Sequence, residues 1–171
     1  MSSTPSSVRP RGRSCSGDPA WPRYLTAFRG RADLITPNLD EAGILAAGRV
    51  TTVAGMKDAA RKIADAGRMA CLVKGGHLAN RAVDVLCDGR GCIVFDHPRL
   101  DAGSVHGTGC YLSSAVLAFL AEGRGVAEAC GLAIERTAAA IRDAVPAGGD
   151  RRVFDLSRER SRPRTGPRKQ R

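Results

Sequence analysis

Residues 70–73, Ala-Cys-Leu-Val, make a compact apolar run that is stopped by Lys74-Gly75-Gly76. A run apolar at consecutive positions, not at every second one, has no polar face to offer water and fits a strand covered on both sides. The segment before it carries Met56, Ala60, Ile63 and Ala64 at helical spacing. It opens after Thr51-Thr52 and meets Gly67 where a C-terminal cap belongs. A helix feeding a doubly buried strand predicts an α/β layer architecture with a parallel sheet.

The rest of the chain supports that class. Ala32-Asp33-Leu34-Ile35 is a short apolar run ended by Thr36-Pro37-Asn38, after which Leu39 to Ala46 reads as a short helix. Val83 to Cys87 and Cys92 to Asp96 bracket an Asp-Gly turn and predict a hairpin that His97-Pro98 ends. Leu112, Val116, Phe119 and Leu120 share one face of a helix closed by Gly123. Cys130, Ile134, Ala138, Ile141 and Val145 form the core stripe of another. After Val145-Pro146 the pattern dissolves, and no internal repeat is visible.

The 171 residues, 43% of them hydrophobic, suffice for one substantial core. The formal net charge of +10 is unevenly spread: residues 1–31 carry +5, residues 151–171 carry +7, and the stretch between carries −2. The expected organisation is therefore a basic N-terminal segment over 1–31 that is disordered or atypical, a folded portion over 32–149 and a basic, disordered tail over 150–171. A solvated tail is the preferred reading over an electrostatic contact with nucleic acid or an anionic membrane, because neither segment carries a recognised binding motif. No stretch approaches the roughly 18 apolar residues of a membrane span, and no signal-peptide h-region is visible, so a cytoplasmic protein is expected. The first 17 residues have the Ser- and Arg-rich make-up of a transit peptide, but Pro5 and Pro10 interrupt any amphipathic helix. The six cysteines show no Cys-x-x-Cys pair and no metal spacing with His77, His97 and His106. They are read as reduced, individual thiols, although Cys87 and Cys92 flank the hairpin turn and would face one another across it.

Gly107-Thr108-Gly109 stands directly before the apolar helix, with Cys110 in its first turn. Glycines free the backbone for positive φ, so successive N–H groups can converge at the positive end of the helix and bind an anion. A phosphoryl group in flight suits such a hollow, and the helix dipole favours a thiolate at Cys110 that could accept a proton from a substrate hydroxyl. Alone, the pattern also fits a tight turn followed by a small buried cysteine.

Three stretches in series, "ADLITPNLDEAGIL", "CLVKGGHL" and "HGTGCYLSSAVLAFLAEG", resemble the C-terminal half of hydroxymethylpyrimidine and phosphomethylpyrimidine kinases. Those enzymes belong to the ribokinase-like superfamily, and the stretches are also similar to pyridoxal kinases. The resemblance runs from about Asp33 to Ala144. It implies an incomplete ribokinase-like three-layer α/β fold: the C-terminal half of the sheet with a β-hairpin and flanking helices. It further implies phosphoryl transfer from ATP to the hydroxymethyl group of a pyrimidine, or of its phosphate, in thiamine biosynthesis, with Mg²⁺ as cofactor. By the same resemblance Cys110 is the catalytic base, and Gly107, Thr108 and Gly109 form the anion hole. Lys74, Gly75 and Gly76 approach ATP, and Asn38 and Glu41 orient Mg²⁺ and its waters. The residues themselves leave other readings open: Asn38 and Glu41 fit a helix cap, and Lys74 fits a solvated strand end. His106 is expected to brace the turn.

The chain departs from the family at Val105, where threonine is usual, and at Tyr111, where threonine or serine is usual, and Tyr111 would crowd the phosphate site. Ile134 stands where the family often has a lysine. In the family a further N-terminal half supplies most of the pyrimidine pocket, which residues 1–31 do not match. An apolar sheet edge left open invites self-association, so a homo-oligomer is expected. Rival functions are a catalytically inactive kinase remnant, a pyridoxal kinase-like protein, and a scaffold whose basic tails are the working parts.

Overall fold

The Ala70–Val73 run lies in a strand whose side chains alternate between two separate cores. In the computed structural model, which describes residues 20–76, 82–98, 100 and 104–159, helix α1 (Ala20–Ala27) precedes a short strand β1 (Leu34–Ile35). Helices α2 (Leu39–Leu45) and α3 (Val53–Gly67) follow, then strand β2 (Ala70–Lys74) and the hairpin β3 (Ala82–Asp88) with β4 (Gly91–His97). The four strands form one sheet in the order β1-β2-β3-β4. Cys71, Val73, Val83, Val85 and Cys87 face a core shared with Leu25 of α1, Ala42 of α2 and Met56, Ala60 and Ile63 of α3. Ala70, Leu72 and Leu86 face the other, shared with α4 (Thr108–Ala121) and α5 (Val126–Arg142). Helices therefore cover both faces, and each fully buried side chain such as Leu72 or Ile63 contributes about 1.5–3 kcal/mol.

The α/β class and the hairpin hold, but the sheet is mixed. In this sheet only β1 and β2 run parallel; β2–β3 and β3–β4 are antiparallel, since the few residues between Lys74 and Ala82 are too short a connection for a parallel crossover. Asp88 closes the hairpin by accepting the N–H groups of Arg90 and Gly91 at 2.8 and 3.1 Å.

The expectation that all cysteines are individual thiols fails at Cys87 and Cys92. They are register partners across β3–β4 with Cα atoms 4.1 Å apart, and they form a disulfide. Among the described residues Cys71, Cys110 and Cys130 are free; Cys15 lies outside them.

Two further details depart from the sequence pattern. Gly67 does not cap α3; Arg68 does, at φ 51° and ψ 44°, its N–H donating to Ala64 O. On α5 the buried face is Ala129, Cys130, Ala133, Ile134, Thr137 and Ala140, while Val145 is exposed and already beyond the helix. The stripe read from sequence drifts off this face because its four-residue steps exceed the helical period of 3.6.

Elements also form in the segments that composition assigns to basic tails. Besides α1, the chain after α5 continues into β6 (Val145–Pro146), β7 (Arg151–Val153) and a turn of helix, α6 (Leu156–Glu159). With β5 (Ser104–Val105) these make a second sheet of order β5-β7-β6.

Arg68 bears the cost of a left-handed backbone that glycine adopts freely. Arg68→Gly is expected to raise unfolding stability by about 0.5–1 kcal/mol, read as a higher urea midpoint at unchanged m-value; a lower midpoint would show that the arginine side chain matters more than its φ.

Candidate functional site

Parallel pairing of β1 and β2 brings two C-terminal strand ends side by side, the place where open α/β sheets hold ligands. The chain leaves β1 through Thr36-Pro37-Asn38. It stays against β2: Lys74 N–H donates to Pro37 O at 2.8 Å, and Asn38 forms an isolated parallel bridge with Lys74. From β2 the chain leaves through Gly75 and Gly76. The start of α4 is held at the same end, because Ser113 Oγ lies 2.9 Å from Thr36 Oγ1 and donates to Gly109 O at 3.0 Å.

The glycine turn has the shape its sequence implies. Gly107 adopts φ +87° as N-cap of α4 and supplies no side-chain cap, while Tyr111 N–H donates back to Gly107 O at 2.9 Å. The N–H groups of the first helical turn are thus left to an outside acceptor, at the positive end of the dipole. Cys110 is exposed on this turn. Lys74 reaches the same point: a Cβ placed on Gly109 would stand 3.4 Å from Lys74 Nζ. A cation and a set of outward N–H groups in one hollow suit a multiply charged anion. His106 precedes the turn and is exposed, and its backbone N–H donates to Arg152 O at 3.1 Å.

Behind Lys74 stands an acid that the sequence reading passes over. Asp84 opposes Lys74 in the β2–β3 register and is 6% exposed. Its Oδ1 accepts the Gly75 N–H at 2.9 Å, and its Oδ2 lies 3.3 Å from His97 Nε2. Buried charge needs such partners, and here they fix the backbone that leaves β2. Gly75 itself is required by packing, since a Cβ would collide with the Val83 carbonyl oxygen and come within 2.7 Å of Met56 Cε. Gly76 faces open space.

Asn38 and Glu41 form a complete capping box at α2: Asn38 Oδ1 accepts Glu41 N–H and Glu41 Oε2 accepts Asn38 N–H, both at 2.8 Å. Among the described residues no group of three or more His, Cys, Asp or Glu converges on a metal position. What the pair offers is an exposed carboxylate with an amide oxygen beside it, fixed at the strand ends. Such oxygen donors fit Mg²⁺ held largely through its own waters.

The structure thus brings Asn38, Lys74, Gly75 and the Gly107–Cys110 turn to one end of the sheet. Tyr111, expected to crowd the phosphate position, lays its ring against Phe154, centroids 4.6 Å apart. Asp84 was missed because a single acid in an alternating strand reads as part of a polar face. Its one available signal is that it lies on the same face as Ala82 and Leu86, which are apolar.

The sequence profile of the family described as phosphomethylpyrimidine kinase matches residues 8–154. The hydroxymethylpyrimidine/phosphomethylpyrimidine kinase of Streptomyces coelicolor is 40% identical over 150 residues, covering 85% of this chain and 56% of that protein. Its counterpart from Aquifex aeolicus is 36% identical over 125 residues, 72% of this chain and 49% of its own length. The chain therefore spans about half the length of the curated relatives it matches. Among solved structures, Bacillus subtilis pyridoxal kinase in complex with ADP superposes with a TM-score of 0.71 at 36% identity, over 82% of this chain and 57% of that one. Staphylococcus aureus pyridoxal kinase in complex with AMP-PCP gives 0.73 at 29% identity, over 79% and 50%.

The three free thiols among the described residues differ sharply in surroundings. Burial pushes the Cys71 thiol up from its ordinary 9.0 to about 12. Burial, with the Asp84 carboxylate adding to it, pushes Cys130 up to about 12. A thiol more easily ionised in the unfolded chain stabilises the fold fully below about pH 9, and this contribution is lost as the pH rises towards 12. Iodoacetamide at pH 8 is therefore expected to label Cys110 in the native chain and to reach Cys71 and Cys130 only on unfolding; native labelling of Cys71 at a similar rate would contradict the packing described here.

Proposed function

The chain belongs to the phosphomethylpyrimidine kinase family, with a ribokinase-like fold of which it spans about half, and from that premise we propose that it takes part in phosphoryl transfer from ATP to hydroxymethylpyrimidine or its phosphate. The observation that carries the proposal is the meeting of Lys74 with the Gly107–Cys110 turn at the ends of β1 and β2.

In this reading the terminal phosphoryl group lies against the N–H groups of the first turn of α4. Charge that spreads over its oxygens as the bond to the leaving phosphate breaks is met by donors already aligned. Lys74 holds the anion from the β2 side. The Cys110 thiolate takes the proton of the attacking hydroxymethyl group as its oxygen bonds to phosphorus, leaving ADP and the phosphate ester. Asn38 and Glu41 would hold Mg²⁺, which when bound would neutralise charge on the phosphates. Asp84 and His97 keep Gly75 in place, so that the path out of β2 does not drift. Geometry of this kind supplies rate through positioning, and small displacements are costly.

A pyridoxal-type acceptor is the second reading, favoured by the similarity to two solved pyridoxal kinases at TM-scores of 0.71 and 0.73.

The chain incubated with ATP·Mg²⁺ and hydroxymethylpyrimidine phosphate, hydroxymethylpyrimidine or pyridoxal is expected to yield a product heavier by one phosphoryl group with one of the pyrimidines. Cys110→Ala is expected to lower turnover by about 10²–10⁴-fold, the usual worth of a general base. Turnover with pyridoxal alone would select the second reading, and no turnover with any acceptor would support a non-catalytic member of the family.

A further inference from the structure

A glycine-rich turn is only as well ordered as the elements that hold it, because glycine loses more freedom on folding than other residues. Anion stabilisation, in turn, requires donors aligned before the charge arrives. Gly107-Thr108-Gly109 has no side-chain cap of its own from the N-cap position. Ser113 and Thr36 hold the Gly109 side of the turn; the restraint on its entry comes from the segment after α5.

Strand β7 pairs in parallel with β5, Ser104 with Arg151 and Val105 with Arg152, and β5 leads directly into the turn. The ladder continues one step further, where His106 N–H donates to Arg152 O at 3.1 Å. The Arg152 guanidinium turns the other way: Nε donates to Ala144 O at 3.1 Å, with Nη2 on the same oxygen, at the end of α5. Two residues on, the Phe154 ring lies against Tyr111 in the first turn of α4, at 4.6 Å and 31°. One short segment thus grips the entry to the turn, the first turn of the helix and the end of the neighbouring helix.

We propose that Arg152 and Phe154 are positioning residues for the glycine turn: they set the N–H groups of residues 108–110 and Cys110 without touching the anion. The proposal rests on the reading of that turn as the phosphoryl site. It gives a role to a stretch whose composition marks it only as a basic tail. It also accounts for Tyr111, whose ring has a partner here that a threonine or serine at this position would leave bare.

The test uses the full chain and reads amide hydrogen exchange at Tyr111, whose N–H closes the turn onto Gly107 O. Phe154→Ala is expected to speed exchange there roughly fivefold, as loss of one aromatic contact implies. Arg152→Ala acts in the same direction, Phe154→Tyr restores protection, and the amides of Leu72 and Val85 in the large sheet stay unchanged. In a chain that turns over, both alanine variants lower kcat and leave the KM for ATP near its original value. Unchanged exchange at Tyr111 in both alanine variants would overturn the proposal. So would equal acceleration at Leu72 and Val85, since the segment would then support the whole fold and not the turn. A wild-type chain without turnover counts against the kinase reading alone, and the exchange result still decides the positioning role.

Discussion

Coverage of β2 on both faces is the constraint from which the rest of the arrangement follows. Leu72 and Val73 are both fully buried, one towards α4 and α5 and the other towards α2 and α3. Neither face can be given up without exposing apolar surface, so the helices are fixed in two layers about one strand. With α4 locked against Leu72 and Leu86, its first turn has to lie at the C-terminal end of β2, where Lys74 points. The site is therefore a product of core packing, not of a separate loop assembly.

Among the described residues its electrostatics are sparse. One ammonium and the N–H groups of a helix start face outwards, and the one buried acid nearby, Asp84, has both oxygens engaged by Gly75 N–H and His97. A hollow lined by backbone donors is less demanding of a fixed ligand outline than a bidentate guanidinium fork. That suits a group whose oxygens move while it is transferred. The same economy makes the turn dependent on external bracing, since glycines contribute no packing.

What the sequence disclosed and what it hid divide along the range of the interactions. The buried strand at 70–74, the hairpin about Asp88-Gly89 and the helix after Gly109 are written in consecutive residues, and each appears within a residue or two of its expected place. The Gly107–Cys110 turn was legible in the same way, from turn chemistry, whereas Lys74 and the Asn38–Glu41 pair were singled out only by the resemblance to the kinase family, their own spacing fitting a strand end and a helix cap equally well. The mixed direction of the sheet was partly legible: the hairpin already implied an antiparallel pair, and the short stretch between Lys74 and Ala82 leaves no room for the crossover that a parallel β3 would need. Strand β7 was hidden, because Arg151-Arg152-Val153 has no apolar pattern and acquires its ladder from β5, far upstream. The disulfide was half visible. Cys87 and Cys92 stand opposite one another in any register that closes at Asp88 and Gly91, but spacing does not say whether the bond forms. Arg68 closing α3 in a left-handed conformation runs against residue preference, and packing around Met69 and Ala70 overrides it.

The central claim is that the start of α4 and Lys74 form one phosphoryl site. Titration of the isotopically labelled chain with AMP-PCP·Mg²⁺, followed by amide NMR, tests it most directly. The account predicts saturable shifts concentrated at the N–H groups of Thr108, Gly109 and Cys110, and their loss in Lys74→Met. Saturable shifts confined to other parts of the molecule, or no shifts at all, would contradict it.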